Sequence, residues 1–155
     1  MLIPIEEIEQ FCNQLRNEGK SIVFTNGCFD ILHVGHTTYL QKAKDLGDVL
    51  ILGLNSDASV RRLKGESRPI NNENDRAVVL LALRSIDHVV IFPEDTPFYL
   101  ISLIQPDILA KGGDYSRDTI VGADIVEARG GKVVVIPLVD GKSTTATINK
   151  MQSNC

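Results

Sequence analysis

The residues best suited to chemistry lie in one stretch, Thr25-Asn26-Gly27-Cys28-Phe29-Asp30-Ile31-Leu32-His33-Val34-Gly35-His36. Only three histidines occur in the chain, and His33 and His36 are two of them. At i and i+3 they share a face at a helix start, and Gly35 between them carries no side chain to hold a ligand off the backbone. A helix N-terminus offers unpaired N–H groups and partial positive charge, which favours an anion. Two imidazoles beside that anion suit a phosphate that gains charge as it becomes five-coordinate, so the chemistry is electrostatic stabilisation without a protein nucleophile. The same residues allow two other uses. Both rings could simply cap or pack at the helix start, or Cys28, His33 and His36 could be three ligands of a zinc site. The zinc version lacks a second Cys-x-x-Cys or another matching pair, so no metal ligand is assigned. Cys28 has no base at a recognisable spacing and reads as a small, partly buried turn residue.

The elements that must hold this stretch alternate along the chain. Pro4 to Asn17 carries Ile5, Ile8, Cys12 and Leu15 at helical spacing, opened by proline and stopped by Gly19. Ser21 to Asn26 is a short buried strand, and a glycine-containing turn leads into a helix through Tyr39, Leu40, Ala43 and Leu46. Val49 to Asn55 is a second strand, Asn74 to Arg84 a mostly buried helix, and His88 to Phe92 a third strand. Thr96-Pro97 reads as an N-cap with proline at the first helical position, ahead of Leu100, Ile101 and Ile104. Ile108 to Lys111 and Val133 to Pro137 supply two more strands around a helical segment from Ile120 to Arg129, and Ser143-Thr144-Thr145 caps a last helix. Five apolar strands alternating with helices predict an α/β fold, a Rossmann-like doubly wound five-stranded parallel sheet. Ligands of such sheets bind beyond the carboxyl ends of the strands, where strand order reverses. At those ends stand Asn26 to Asp30, Asn55-Ser56-Asp57, Lys111-Gly112-Gly113-Asp114-Tyr115 and Asp140 to Thr145, a polar and glycine-rich edge suited to a phosphate-bearing ligand.

Bulk properties narrow the class. The 155 residues, with 16 Lys+Arg, 20 Asp+Glu and a formal net charge of −4, fit one domain over residues 1–155, with residues 1–20 as an N-terminal helix packed on it. A pI near 5.3 without a basic block argues against nucleic acid as a partner, and no apolar run is long enough to cross a membrane. The acidic, proline-interrupted start has no export signal, so the cytoplasm is expected. Three cysteines at unhelpful spacings fit reduced thiols. A P-loop and a Gly-x-Gly-x-x-Gly after the first strand are both absent, which removes support for P-loop hydrolysis and ordinary dinucleotide binding. A homodimer is the expected assembly, closed pairs being the commonest.

The first motif resembles that of the nucleotidyltransferase superfamily with the His-x-Gly-His element, which includes cytidylyltransferases and pantetheine-phosphate and nicotinamide-nucleotide adenylyltransferases. Further stretches resemble the D-glycero-β-D-manno-heptose 1-phosphate adenylyltransferases of bacterial lipopolysaccharide synthesis: Asn55-Ser56-Asp57-Ala58-Ser59, Arg62-Leu63-Lys64-Gly65 with Ser67-Arg68-Pro69, Glu94-Asp95-Thr96-Pro97, Pro106-Asp107, Lys111 to Tyr115 and Ser143-Thr144-Thr145. The resemblance runs from about Ser21 to the end. It implies ATP and a sugar 1-phosphate as substrates, Mg2+ carried mainly by ATP, and ADP-heptose and pyrophosphate as products. It also implies roles: His33 and His36 on the triphosphate, with Lys44, Lys64 and Arg76 as further cations for phosphates. Asn26, Gly27, Cys28, Phe29 and Asp30 form the turn that meets ATP, with Asp30 buttressing it or orienting a neighbour, and Gly35 lies beside them. Lys111, Gly112 and Asp114 take the adenine and ribose side, Ser143, Thr144 and Thr145 the triphosphate, and Asn55, Asp57 and Lys64 the sugar phosphate. The polar loop from Val60 to Glu73 is placed to close over substrate. In many bacteria this activity follows a sugar kinase in one chain, and 155 residues suggest a stand-alone transferase. Related glycerol-phosphate cytidylyltransferases carry Arg-Thr-x-Gly-Ile-Ser-Thr-Thr before the last helix, whereas this chain has Leu138-Val139-Asp140-Gly141-Lys142-Ser143-Thr144-Thr145 and no arginine. A cytidylyltransferase for a polyol or alcohol phosphate and a non-catalytic nucleotide-binding module are the alternatives.

Overall fold

The apolar runs become five strands in a computed structural model that describes residues 1–113 and 115–155; Asp114, expected at the ribose, lies outside the described residues. In chain order the elements are α1 (Ile8–Asn17), β1 (Ile22–Gly27), α2 (Val34–Lys44), β2 (Val49–Asn55), α3 (Asp57–Lys64), α4 (Glu73–Leu81), β3 (His88–Phe92), α5 (Phe98–Ile104), β4 (Ile108–Gly112), α6 (Ala123–Ala128), β5 (Lys132–Ile136) and α7 (Thr144–Ser153). The strands form one parallel sheet in the order β3-β2-β1-β4-β5. β2 is buried along its whole length, so its sequence VLILGLN reads as a continuous apolar run. One sheet face packs on α1, α5 and α6 through Ile8, Cys12, Phe24, Ile101 and Val126. The other packs on α2 and α4 through Leu40, Ala43, Leu52 and Leu80. Order reverses between β1 and β4, which places the ligand-binding crevice at the ends of those two strands. They pair at Val23–Ile108 and Phe24–Leu109. Toward their carboxyl ends Tyr39 of α2 ties them together, its hydroxyl donating to Ala110 O at 3.1 Å and accepting from Thr25 Oγ1 at 2.5 Å.

Several boundaries differ from those the sequence predicts. α1 begins at Ile8 and not at Pro4, because residues 1–3 pair with the edge strand β3: Val89 N–H donates to Met1 O and Ile3 N–H to Val89 O. Asp57 to Lys64 is helical, with Ser56 Oγ accepting from Ser59 N–H, so the loop proper spans 65–71. α4 is less buried than expected, Val78 and Val79 being exposed. Pro97, not Thr96, stands at the N-cap of α5, where Ile101 N–H reaches the Pro97 carbonyl without a side-chain cap. No described helix is long and apolar enough to cross a membrane.

Candidate active site

β1 ends in a turn whose shape depends on close packing. Phe29 adopts φ 45°, and its ring folds back over Gly27 so closely that a Cβ there would lie 2.7 Å from Phe29 Cε2. The chain then enters α2 through a reciprocal capping arrangement made of two imidazoles. His33 Nδ1 accepts from Gly35 N–H at 3.1 Å, and His36 Nδ1 accepts from His33 N–H at 3.2 Å. Because each Nδ1 accepts, the neutral tautomer assigned from these bonds carries its proton on Nε2. The rings lie 3.9 Å apart between centroids, with Phe29 at 5.4 Å from His36. Burial, with His33 beside it, pushes the His36 pKa down to about 4; burial and then Lys142 lower that of His33. Both rings are therefore neutral Nε2–H donors at pH 7. Gly35 is needed for a reason other than open space for a ligand: a Cβ would meet the His33 ring at 2.8 Å.

These residues line a cavity of about 580 Å³ at the β1/β4 switch. One wall comes from α3 and the loop after it. Lys64 and Arg68 both line the cavity, and Arg68 Nε donates to Asp30 Oδ2 at 2.7 Å. Asp30 is buried and also accepts from the N–H groups of Ile70 and Asn71. Burial would raise its pKa, yet the two N–H groups and Arg68 hold it below the usual carboxylate value. Asp30 thus buttresses the turn by anchoring the 68–71 segment, with its oxygens committed there and not to a nucleotide.

The opposite wall is the segment leading into α7. Ser143 Oγ caps α7 by accepting from Ala146 N–H at 3.0 Å, and Thr144 Oγ1 donates to Ile31 O at 2.9 Å. Thr144 is therefore the tether between α7 and the turn, while Ser143 and Thr145 retain hydroxyl hydrogens for a ligand. Lys142, Leu138 and Val139 complete this wall. At the end of β4, Lys111 lies 5.4 Å from the Tyr115 ring centroid, and burial lowers its pKa. Gly112 leaves a narrow space, since a Cβ would lie 3.0 Å from Leu138 Cδ2 and 3.1 Å from Tyr39. Cys28 also lines the cavity, and its thiol is raised by burial, against the pull of Lys64, Arg76 and Arg68.

The structure brings together most of the residues singled out from the sequence and excludes four. Asn26, Gly27, Cys28, Phe29, Asp30, His33, Gly35, His36, Lys64, Lys111, Gly112, Ser143, Thr144 and Thr145 all line the cavity. Lys44 does not. It lies at the far end of α2, bound to Asp87 Oδ2 at 2.6 Å and Asp48 O at 2.5 Å, because the helix runs away from the strand ends that form the crevice. Arg76 is a second correction. Fully buried, it donates to the carbonyls of Cys28, Asn55 and Asn71 and to Asp57 Oδ1, so it holds the turn instead of facing phosphate. Asp57 is committed to that pair, and Asn55 is buried against Ser59 Oγ at 3.0 Å, so neither faces the cavity. Sequence reasoning missed Arg68, Tyr39, Leu138 and Lys142. Arg68 and Lys142 stand inside motifs read for other residues, and nothing local in sequence shows which way their side chains turn. Among the described residues, no group of three His, Cys, Asp or Glu side chains is placed to hold a metal ion.

Known proteins share the sequence and the fold of this chain. The chain is 59% identical over 149 residues to the bifunctional protein HldE of Aliarcobacter butzleri, covering 96% of this chain and 30% of the relative. It is 62% identical over 136 residues to the protein of the same name from Syntrophotalea carbinolica, covering 88% of this chain and 28% of that one. The chain thus spans less than a third of the length of these curated relatives. Among solved structures, a lipopolysaccharide core biosynthesis protein from Thermoplasma volcanium superposes with TM-score 0.62 at 29% identity, covering 80% of this chain and all of that one. A pantoate-beta-alanine ligase from Francisella tularensis shares the fold, with TM-score 0.64 at 16% identity over 99% of this chain and 78% of that one. The family model described as cytidylyltransferase-like matches residues 24–151. That match takes in the turn after β1, both histidines and the start of α7 in one continuous span, and the chain belongs to the cytidylyltransferase-like family.

Proposed function

We propose that this chain transfers AMP from ATP to D-glycero-β-D-manno-heptose 1-phosphate, giving ADP-heptose and pyrophosphate for lipopolysaccharide core or surface glycan synthesis. The observation that carries the reading is the pair of imidazoles whose Nδ1 atoms are fixed to backbone N–H groups, leaving two Nε2–H donors on a cavity at the sheet's switch point. The ordered motifs shared with heptose 1-phosphate adenylyltransferases, and relatives named bifunctional protein HldE, supply the substrate class.

In this reaction an oxygen of the sugar phosphate attacks the α-phosphorus of ATP, and the bond from that phosphorus to the β-phosphate oxygen breaks. The attacking oxygen is already anionic, so no general base is required. The protein aligns two polyanions and offsets the charge that develops between them. His33 and His36 donate from Nε2 to phosphoryl oxygens, and Lys64, Arg68 and the N–H groups at the start of α7 surround the rest of the charge. Magnesium belongs to the nucleotide substrate in this reading. Among the described residues Asp30 is the only carboxylate on the cavity, and its oxygens already accept from Arg68, Ile70 and Asn71. In this reading the base lies at the end of β4, where Lys111, Gly112, Tyr115 and Leu138 line the cavity. The reading also places the reaction in the cytoplasm, where ATP is supplied, and takes a homodimer as the working assembly, which sedimentation would test.

Pyrophosphate release from ATP, magnesium and heptose 1-phosphate tests the proposal. His33→Ala and His36→Ala should each lower kcat by about 10²–10³-fold with the circular dichroism spectrum retained. Wild-type turnover in both variants would refute the assigned roles. A higher kcat/KM with CTP than with ATP would make the chain a cytidylyltransferase, and ATP binding without turnover of any sugar phosphate would make it a binding module.

A further inference from the structure

We infer that Tyr39 is a positioning residue for the transfer, a wedge whose hydroxyl holds the strands of the crevice apart and ties that opening to the helix carrying His36. The inference rests on the nucleotidyl-transfer reading above and adds a residue that acts through others. β1 pairs with β2 at six register positions and β4 with β5 at five, but β1 and β4 pair at only two, Val23–Ile108 and Phe24–Leu109. The next position in that register is Thr25–Ala110. Both of its members bond to Tyr39: the Thr25 hydroxyl lies 2.5 Å from that of Tyr39, which donates to Ala110 O at 3.1 Å.

A continued ladder would draw Thr25 and Ala110 to the spacing of paired strands, about 4.8 Å, and narrow the crevice above them. A leucine could keep the strands apart, but Ala110 and Thr25 are fully buried, and their polar groups would lose a partner. Tyrosine meets both needs. Burial pushes its pKa up to about 12, against the hydrogen bond with Thr25, so the hydroxyl keeps its proton and remains a donor. Tyr39 also stands where this bond can govern the site. It lies three residues after His36 on the same face of α2, and it lines the cavity. A Cβ built on Gly112 would be 3.1 Å from Tyr39 Cε2, so the ring packs on the end of β4 as well. One side chain thus sets the distance between the imidazole wall and the Lys111–Gly112 wall, which must meet the same nucleotide. That alignment counts most in the transition state, where a displacement of about 1 Å can lower the rate about a hundredfold.

The test uses the full chain with Tyr39→Phe, which keeps the ring and removes the hydroxyl. Pyrophosphate release from ATP, magnesium and heptose 1-phosphate should show kcat lowered about 10- to 100-fold, with KM for ATP within about threefold of wild type. In crystals of the nucleotide-free proteins, the separation of the His36 and Gly112 Cα atoms should change by about 0.5–1 Å. Thr25→Val removes only one of the two bonds and should show the same pattern with a smaller loss. Val90→Ala, in the core of β3, should lower the urea midpoint and leave kcat unchanged. If Tyr39 served stability alone, Tyr39→Phe would behave like Val90→Ala. A kcat within about twofold of wild type in Tyr39→Phe, or an unchanged His36–Gly112 separation, would overturn the proposal and leave the transfer reading intact. If the separation changes as expected but the wild-type protein adenylylates no heptose 1-phosphate, the wedge stands and the sugar-phosphate reading fails.

Discussion

His33 and His36 each use one ring for two purposes. The Nδ1 atom fixes the backbone at the start of α2, and that bond decides which nitrogen holds the proton facing the cavity. A serine or aspartate cap would satisfy the same N–H groups but would present no second donor at the far side of a rigid ring. Burial lowers the pKa of both rings, that of His36 to about 4, and so favours the neutral form in which Nδ1 can accept the backbone N–H. Lys44 makes the contrast. Its partner Asp87 also accepts from Leu50 N–H at 2.7 Å, so the pair braces the amino-terminal edge of the sheet, opposite the crevice. Lys44→Met should leave kcat and KM for ATP unchanged and lower stability in urea by about 0.5–1 kcal/mol, as expected for a partly exposed ion pair. A tenfold loss of turnover would return Lys44 to the catalytic set.

At the scale of elements, the site depends on α4 although no residue of α4 lines the main cavity. Arg76 projects from that helix and joins three backbone carbonyls, at the turn after β1, the end of β2 and the loop before α4 itself. Removing its guanidinium would leave these acceptors and Asp57 without their partner. Arg76→Met should cost about 3 kcal/mol or more in urea denaturation and raise KM for ATP, because the Cys28 turn loses its anchor. Arg76→Lys should recover only part, since an ammonium cannot reproduce the fork that reaches several carbonyls at once. A variant of unchanged stability with reduced kcat would instead mean that Arg76 meets substrate directly. The segment 68–71 is held in the same fashion by Asp30, so the residues framing the crevice are positioned by buried polar contacts from behind it.

Across the whole molecule, all three histidines have their pKa lowered, His36 to about 4, with burial the leading cause in each. The unfolded chain takes up these protons near the ordinary value of 6.5, while the folded chain resists until lower pH. Stability from these groups is therefore complete above about pH 6.5 and is lost as the pH falls toward 4. The urea midpoint should drop between pH 7.5 and 5, and His36→Gln should flatten that slope by about 1–2 kcal/mol after allowance for partial exposure. An identical slope in the variant would show that His36 is not held neutral by the fold.

The amino-acid sequence by itself determined the parallel α/β class and the cluster from Asn26 to His36, because strand burial leaves apolar runs of recognisable length and the His-x-Gly-His spacing is local to one helix start. It also determined the cap on α7, since Ser143 and the residues it caps are neighbours in the chain. Only the tertiary structure decided which distant cations reach the crevice. Lys44, Arg76 and Lys142 are alike as charges along a sequence, yet helix direction carries the first away, burial turns the second onto backbone carbonyls, and the approach of α7 to Gly35 brings the third to the cavity wall. Those outcomes depend on how elements far apart in the chain pack, and side-chain direction across such contacts is not encoded by spacing within any one of them.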